Sequence, residues 1–164
     1  MPITYTPIAT TTLASAAASY TFSSIPSTYT DLVLVATARN TTATYTATIR
    51  VNGDSGSNYS STQLYGDGTT AGSNRDTSRT SIDNIYAASS ADAANFFNTT
   101  LVHIMNYSNA TTYKTMLSRS NLGIQIAASI GLWRNTAAIT SVGIFSASNF
   151  ATGSTFTLYG IQAA

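Results

Sequence analysis

Short segments of alternating apolar and polar residues run through this chain, and turn residues separate them. In Thr44–Val51 every second residue is Tyr, Ala, Ile or Val, and the residues between them are Thr or Arg. Successive side chains of a β-strand point to opposite faces of the sheet, so this pattern predicts a strand with one buried face. Further predicted strands are Ser19–Phe22, Leu32–Ala38, Ser60–Tyr65, Ile82–Tyr86, Phe96–Tyr107, Tyr113–Ser120, Ile124–Leu132, Ile139–Phe145 and Thr155–Ile161.

The composition supports a β-fold and provides few residues suited to helices. The sequence has no Glu and one Lys, whereas Thr, Ser, Tyr, Val and Ile are abundant. Straight-chain residues favour helical surfaces, and β-branched and aromatic residues favour strands. Short strands that are spaced by turns, with no helical pattern between them, predict an all-β fold. We expect an antiparallel two-sheet sandwich of the jelly-roll kind.

The length and the turns predict one domain with polar loops. A chain of 164 residues fits a single domain. The segment Gly66–Ser81 is polar and does not alternate, so it is predicted to be a long exposed loop, and Ala87–Ala94 is predicted to be another loop. We expect residues 1–12 to form an extended N-terminal arm and residues 13–164 to form the single β-sandwich domain.

Charge and residue content argue against several classes of function. The formal net charge is +1 and the arginines are scattered, whereas nucleic-acid binding depends on clustered Lys and Arg. The sequence has no Cys, so it offers neither disulfides nor thiolate ligands for zinc. No apolar run is long enough to span a bilayer. We therefore expect a protein that binds neither nucleic acid nor a membrane.

The candidates for catalysis and metal binding lack the partners that such chemistry needs. His103 is the single histidine and shares a strand face with Leu101 and Met105. No signature supplies further metal ligands or a triad, so we interpret it as a structural or interface residue. The aspartates lie in turn-like contexts, and the run Asn52–Asn58, which resembles a calcium loop, lacks the closing acid. The sequence therefore predicts no enzyme activity, no cofactor and no metal.

Two places in the sequence are candidates for contact with a ligand or partner. Trp133 and Arg134 are residue types favoured in binding hot spots, and the Trp would stack on a sugar ring or anchor an interface. The alternative for Trp133 is a strand-end residue that half covers the core. Pro2, Tyr5 and Pro7 belong to the N-terminal arm, which we expect to run across a neighbour and add a strand to an exposed sheet edge.

The expected outward faces of the strands carry Thr, Ser, Asn and Ala rather than Lys and Glu. Charged residues make up 8% of the chain, against about 25% in typical domains. Such faces lack the charges that usually protect a sheet from association. They can pack against another protein without burying an unpaired charge. The sequence therefore predicts a component of an oligomer or a lattice.

Five blocks of the sequence resemble a β-sandwich module found in structural proteins of phages of aquatic bacteria, cyanophages among them. The blocks are Ser15–Val35, Val51–Ser60, Tyr113–Ser120, Gly131–Ser141 and Phe150–Ile161. They occur in the same order, and the resemblance covers nearly the whole chain. It implies a virion structural protein without catalytic residues, either a capsid decoration (cement) protein or the end of a tail fibre.

The absence of a fibre shaft favours the capsid location. Fibre proteins usually add an attachment region and a shaft with a visible sequence period, and this sequence has neither. We expect a cement protein on the outer surface of the virion, bound to the major capsid protein or another virion protein and forming a homotrimer at threefold sites. The alternative is a tail-fibre or receptor-binding tip that recognises host surface glycan through Gly66–Ser81 or Trp133. A glycan-active enzyme is the least favoured interpretation.

Overall fold

The computed structural model of the protein describes residues 5–123 and 125–162, except for the side chain of Asn84. These residues form twelve strands and no helix. The strands are β1 Tyr5–Thr12, β2 Ala17–Phe22, β3 Asp31–Ala38, β4 Thr46–Val51, β5 Tyr59–Gly66, β6 Ala71–Arg79, β7 Ile82–Tyr86, β8 Asn98–Ile104, β9 Lys114–Asn121, β10 Ile126–Trp133, β11 Val142–Phe150 and β12 Thr155–Ile161. Neighbouring strands pair antiparallel.

The strands form two sheets that pack face to face. The large sheet has eight strands in the order β1-β12-β3-β8-β9-β10-β5-β6, and the small sheet has four in the order β2-β11-β4-β7. The hairpins β5–β6 and β9–β10 lie side by side and widen the large sheet beyond β8. The predicted all-β, antiparallel two-sheet sandwich is therefore confirmed.

One hydrophobic core fills the space between the sheets. Leu34 of β3, Phe156 of β12 and Ile49 of β4 are fully buried in it. Tyr20 of β2 stacks on Phe156 across the two sheets, with ring centroids 6.0 Å apart. Full burial of a side chain of this size contributes about 1.5–3 kcal/mol. The alternation in the sequence thus produces the inner face of each sheet and, with it, the cohesion of the sandwich.

Each predicted strand overlaps an observed strand, but the segment Gly66–Ser81 differs from its prediction. Residues Ala71–Arg79 of this segment form β6, which pairs with β5 through a tight turn in which the N–H of Asp67 donates to the carbonyl of Thr70. Both faces of β6 are largely exposed, so its sequence has no apolar alternation. Backbone pairing with β5 fixes this strand instead. The predicted long loop is wrong.

The described part of the N-terminal arm lies on the sheet of its own domain. Tyr5–Thr12 form β1, the edge strand that pairs with β12. The register shifts between Pro7 and Ala9, and proline, which has no N–H to donate, is typical of edge strands and bulges. Pro2 and Ile124, the first residue of one predicted strand, lie outside the described residues.

Candidate functional site

The outer face of the large sheet is the face that the small sheet does not cover. In β10, for example, Ile126, Ala128 and Ile130 are exposed on this face, whereas Ala127 and Ser129 are buried on the other. Because the strands are in register, the outward residues form rows across the sheet. The first row is Thr10, Thr157, Val35, Leu101, Arg119, Ala128, Leu64 and Ser73. The second row is Pro7, Tyr159, Val33, His103, Leu117, Ile130, Thr62 and Arg75.

Large aliphatic side chains gather on the outer face of β9, β10 and β5. Leu64 is 65% exposed, Ile126 is 69% exposed, and Leu117 and Ile130 are each 49% exposed. Together with Leu101 and Ala128 they form a surface that we call the aliphatic patch. Contiguous exposed apolar surface on a folded protein commonly marks a binding site.

A groove runs through the aliphatic patch. It has a volume of about 640 Å³ and is lined by Leu64, Leu101, Ile126 and Ala128, together with Arg119. Neither a carboxylate nor a histidine occurs among the described residues that line it. Full burial of one Leu or Ile contributes about 1.5–3 kcal/mol, so covering the four half-exposed side chains of the patch contributes about 3–7 kcal/mol. The groove therefore suits an apolar protein surface better than a reaction centre.

The charged side chains in the rows of the patch are both arginines. Arg119 lies in the first row between Leu101 and Ala128, and Arg75 ends the second row on β6. In the described part of the chain neither guanidinium is within ion-pair distance of a carboxylate. A partner that covers this face therefore has to accommodate both guanidinium groups.

The opposite end of the outer face carries tyrosines and a histidine–aspartate pair. Tyr5 is 54% exposed, and its ring packs edge to face against Tyr159 with centroids 6.3 Å apart. His103 Nε2 lies 2.9 Å from Asp31 Oδ2, and the backbone N–H of Asn106 donates to Asp31 Oδ1. Tyr5, a predicted contact residue, is thus accessible on this face, where Pro7 is also exposed.

His103 has an acid partner but lacks the other members of a catalytic site. A hydrolytic triad needs a nucleophile as well as an orienting acid. Among residues 5–123 and 125–162, no hydroxyl is hydrogen-bonded to His103, and no cluster of three His, Asp or Glu could hold a metal ion. The pair joins β3 to the strand β8 beside it. Its interpretation as a structural or interface histidine stays a prediction.

Trp133 lies in the core, which decides between the two interpretations of this residue. It is 1% exposed, its Nε1 donates to Asp54 Oδ2 at 2.7 Å, and its ring stacks on Tyr59. Burial raises the pKa of the Asp54 carboxyl, but hydrogen bonds from Trp133, Asn58 and the backbone of Gly56 outweigh it and hold that pKa below its usual value. The ring is not accessible to a sugar or a partner.

The segment that resembles a calcium loop is a turn. Asn52 and Gly53 have φ values of 52° and 65°, a region that Asn and Gly tolerate. The side-chain oxygen of Asn52 accepts hydrogen bonds from the backbone N–H groups of Thr140 and Ser141. Both carboxylate oxygens of Asp54 also accept hydrogen bonds. These oxygens serve the fold, and the predicted turn is confirmed.

The predicted contact residues fall in two separate places. Arg134 Nη2 donates to the carbonyls of Ser57 and Tyr59, so its guanidinium holds a neighbouring backbone segment. Trp133 and Arg134 lie at the end of β10, whereas Tyr5 and Pro7 lie on the edge strand β1, and four strands separate β1 from β10. The structure does not bring these residues into one site.

The sequence prediction omitted the aliphatic patch, although β10 carries a signal for it. This strand reads Ile-Ala-Ala-Ser-Ile-Gly-Leu-Trp and has apolar residues on both faces. Strands that are apolar on both faces are typical of sheets covered on both sides. The small sheet covers one face of β10, and the described chain leaves the other face bare.

Comparison with protein-family models and with curated proteins gives no relative of this chain. No protein-family model matches it, and the curated proteins give no significant match. The described residues include no helix that is long and apolar enough to cross a membrane.

Proposed function

We propose that the protein is a structural component of a tailed-bacteriophage virion, namely a capsid cement protein on the outer surface of the particle. The observation that carries this proposal is the broad, sparsely charged outer face of the large sheet with its exposed aliphatic patch. The partners are the major capsid protein or another virion protein, and further copies of this chain. A protein that binds only the assembled shell stabilises it by mass action.

A binding role also agrees with the positions of Lys114 and Asp54, whose side chains are hydrogen-bonded within the fold. Lys114 is almost fully buried, and its Nζ donates to the carbonyls of Thr112 and Thr136. Burial lowers the pKa of this amine. Asp54 is held by Trp133 and by its own turn, as described above. These groups stabilise loops and turns, which supports the proposal that the protein is not an enzyme.

We also infer that the sandwich is a jelly roll. Without the hairpins β5–β6 and β9–β10, the strand orders are β1-β12-β3-β8 and β2-β11-β4-β7. The chain then crosses between the sheets at every connection except the one from β4 to β7. This order supports a double Greek key, the arrangement of jelly rolls in viral capsid and lectin domains.

The copy number in purified particles tests the virion proposal. Quantitative mass spectrometry of phage particles that carry this gene is expected to find the protein at a level comparable to the major capsid protein. A level comparable to that of tail proteins would instead support the tail-tip alternative. Particles that lack the protein altogether would reject both locations.

The alternative, a receptor-binding tip, is supported by the exposed tyrosines at the other end of the outer face. Tyr5 shares a row with Asp31, and Tyr159 shares a row with His103, each two strands apart. Aromatic rings near hydrogen-bonding groups suit sugar ligands. A glycan array probed with the wild type and Tyr5→Ala tests this function. Tyr113→Ala is the matched control, because Tyr113 is also 54% exposed but lies outside this cluster. Binding that only Tyr5→Ala abolishes would favour the tip.

A further inference from the structure

We propose that a second copy of this chain docks on the aliphatic patch, sheet against sheet, about a two-fold axis. The patch is exposed on the side of the large sheet opposite the small sheet, and nothing in the described chain covers it. Because β10 is apolar on both faces, its sequence fits a strand between two packed layers. The virion proposal includes further copies of this chain among its partners, and here we assign the patch to one second copy, in place of the homotrimer expected from the sequence.

The rows of outward residues make the patch self-complementary. The proposed two-fold axis runs parallel to the strands and passes between β9 and β10. It places β9 of one copy over β10 of the other copy, and β8 over β5. Leu117 then lies over Ile130, and Leu101 lies over Leu64, because each pair occupies one row. Each contact occurs twice, as in every isologous interface.

The same two-fold axis accommodates the arginines. Arg119 of β9 lies over Ala128 of the second copy, and Arg75 of β6 lies over Val33 of β3. The two Arg119 side chains lie side by side across the axis, because β9 is next to it, so their guanidinium groups have to turn away from each other. The aliphatic stem of Arg119 can cover the small alanine while its guanidinium reaches the rim. A second copy can therefore cover the patch although it brings no carboxylate to pair with Arg119.

The area of the face is close to what a stable dimer needs. Six strands of the large sheet, in the order β3-β8-β9-β10-β5-β6, are arranged symmetrically about this axis. With strands about 4.8 Å apart and about 25 Å long, they present an area on the order of 700 Å². A standard protein interface buries about 800 Å² on each partner. The packed face and its rim together approach this value.

The two edges of the large sheet are protected from pairing with another chain. The edge strand β1 contains Pro7 and a register shift, and the edge strand β6 carries Arg75, Asp76 and Arg79. Proline, bulges and charged side chains are the features that keep sheet edges from pairing with another chain. Association through the face is therefore favoured over extension of the sheet.

Sedimentation velocity from about 1 µM to about 100 µM tests the proposal. The wild type is expected to form a dimer of 17.2 kDa subunits. Ile126→Arg is expected to weaken dimerisation by at least about tenfold, because Ile126 lies over Asn121 of the second copy, in the row next to Arg119, so the variant adds a further positive charge there. Thr46→Arg, at an exposed site on the outer face of the small sheet, is the control and is expected to leave the dimer unchanged. A monomer at every concentration, a trimer, or a dimer that tolerates Ile126→Arg would overturn the proposal.

A charge-pair experiment tests the register itself. Leu117→Asp and Ile130→Lys are each expected to be monomeric, because each places two charges against apolar residues. An equimolar mixture of the two variants is expected to form a heterodimer, in which Asp and Lys face each other and the second contact keeps the native Leu117–Ile130 pair. Circular dichroism checks that both variants are folded. Folded variants that stay monomeric in the mixture would overturn the two-fold register.

Discussion

Buried polar side chains in this protein bind backbone carbonyls where other proteins often use ion pairs. The guanidinium of Arg39 donates to carbonyls of the loop between β7 and β8, and Lys114 donates to the carbonyls of Thr112, before β9, and Thr136, after β10. With 8% charged residues the chain has few carboxylates to pair with these cations. Backbone oxygens supply the acceptors instead, which keeps the cost of burying each cation low.

Alkaline pH is expected to destabilise the fold through Tyr59. This phenol is fully buried, it donates to the carbonyl of Asp54, and burial raises its pKa from 10.0 to about 12. The folded pKa exceeds the unfolded one, so the stabilisation is fully present below pH 10 and is lost as the pH rises from 10 to 12. The loss amounts to about 2–3 kcal/mol. Urea unfolding at several pH values between 9 and 12 measures it.

The variant Tyr59→Phe separates this contribution from those of other tyrosines. It is expected to lower stability by about 1 kcal/mol at pH 7, because the hydroxyl hydrogen bonds are lost, and to reduce the slope of stability against pH above 10. Burial also raises the pKa values of Tyr86 and Tyr107, so part of the slope remains. The exposed variant Tyr113→Phe is the control. An unchanged slope in Tyr59→Phe would contradict the assignment.

Trp133→Phe is expected to act on stability rather than on binding. The change removes the hydrogen bond from Nε1 to Asp54 and leaves a cavity, so we expect a loss of about 2–4 kcal/mol. Thermal or urea unfolding measures this loss. The sequence left the role of Trp133 open because its partner Asp54 lies 79 residues away along the chain. A variant that is as stable as the wild type but loses a ligand would contradict the core assignment.

Strands that face the core are predictable from this sequence, whereas the two edge strands of the large sheet are not. In β4 the residues Ala47, Ile49 and Val51 are buried and the intervening residues are more exposed, so alternation reveals the strand. The edge strand β6 has no fully buried residue, and the edge strand β1 is interrupted by Pro7. β6 pairs with β5 across a turn, and β1 pairs with β12, which is far away in the sequence. Local alternation does not reveal either pairing.

The loop between β7 and β8 is expected to depend on Arg39. Its Nη1 donates to the carbonyls of Ala93 and Phe96, and its Nη2 donates to those of Ser90 and Asp92. Arg39→Met leaves these carbonyls without their donor, and we expect a loss of about 2–4 kcal/mol. Faster chymotrypsin cleavage near Phe96 is the local measurement.

Arg119→Met is the matched control for this loop prediction. Arg119 is exposed on the outer face and has no contact with the loop carbonyls that Arg39 binds. Its rate of cleavage near Phe96 is expected to equal that of the wild type. Equal cleavage rates in the Arg39 and Arg119 variants would show that Arg39 does not hold the loop.

Removal of residues 1–12 is expected to destabilise the domain. Ile8 and Ala9 of β1 pack against the core, and β1 covers the hydrogen-bonding edge of β12. We expect a loss of about 2–4 kcal/mol, together with aggregation through the exposed strand. Urea unfolding and light scattering measure the two effects. A truncated chain as stable and soluble as the full chain would instead support a detachable arm.

At the scale of the whole molecule, the large sheet is covered on one face and bare on the other. The sequence predicts the two-sheet class because alternation and turn spacing are local properties. It does not predict the strand order or the position of the bare face, because these follow from pairings such as β3 with β8 and β12. The aliphatic patch emerges only when Leu64 and Ile126, which are distant in sequence, reach adjacent strands.

A dimer formed through the bare face makes thermal stability depend on concentration. If the folded dimer is the more stable species, Tm is expected to rise with protein concentration by mass action. Ile126→Arg is expected to remove this dependence, because it disrupts the patch while leaving the core intact. Calorimetry at two concentrations tests both statements. A wild-type Tm that is independent of concentration would contradict a dimer.

The hairpins β5–β6 and β9–β10 enter the chain at two connections, after β4 and after β8. They supply most of the aliphatic patch, yet the order of the other eight strands is the same without them. Exchange of these two contiguous stretches of sequence can therefore change the binding partner and leave the connections among the other eight strands intact. A chimera that receives both stretches from another protein of this topology would acquire that protein's binding preference.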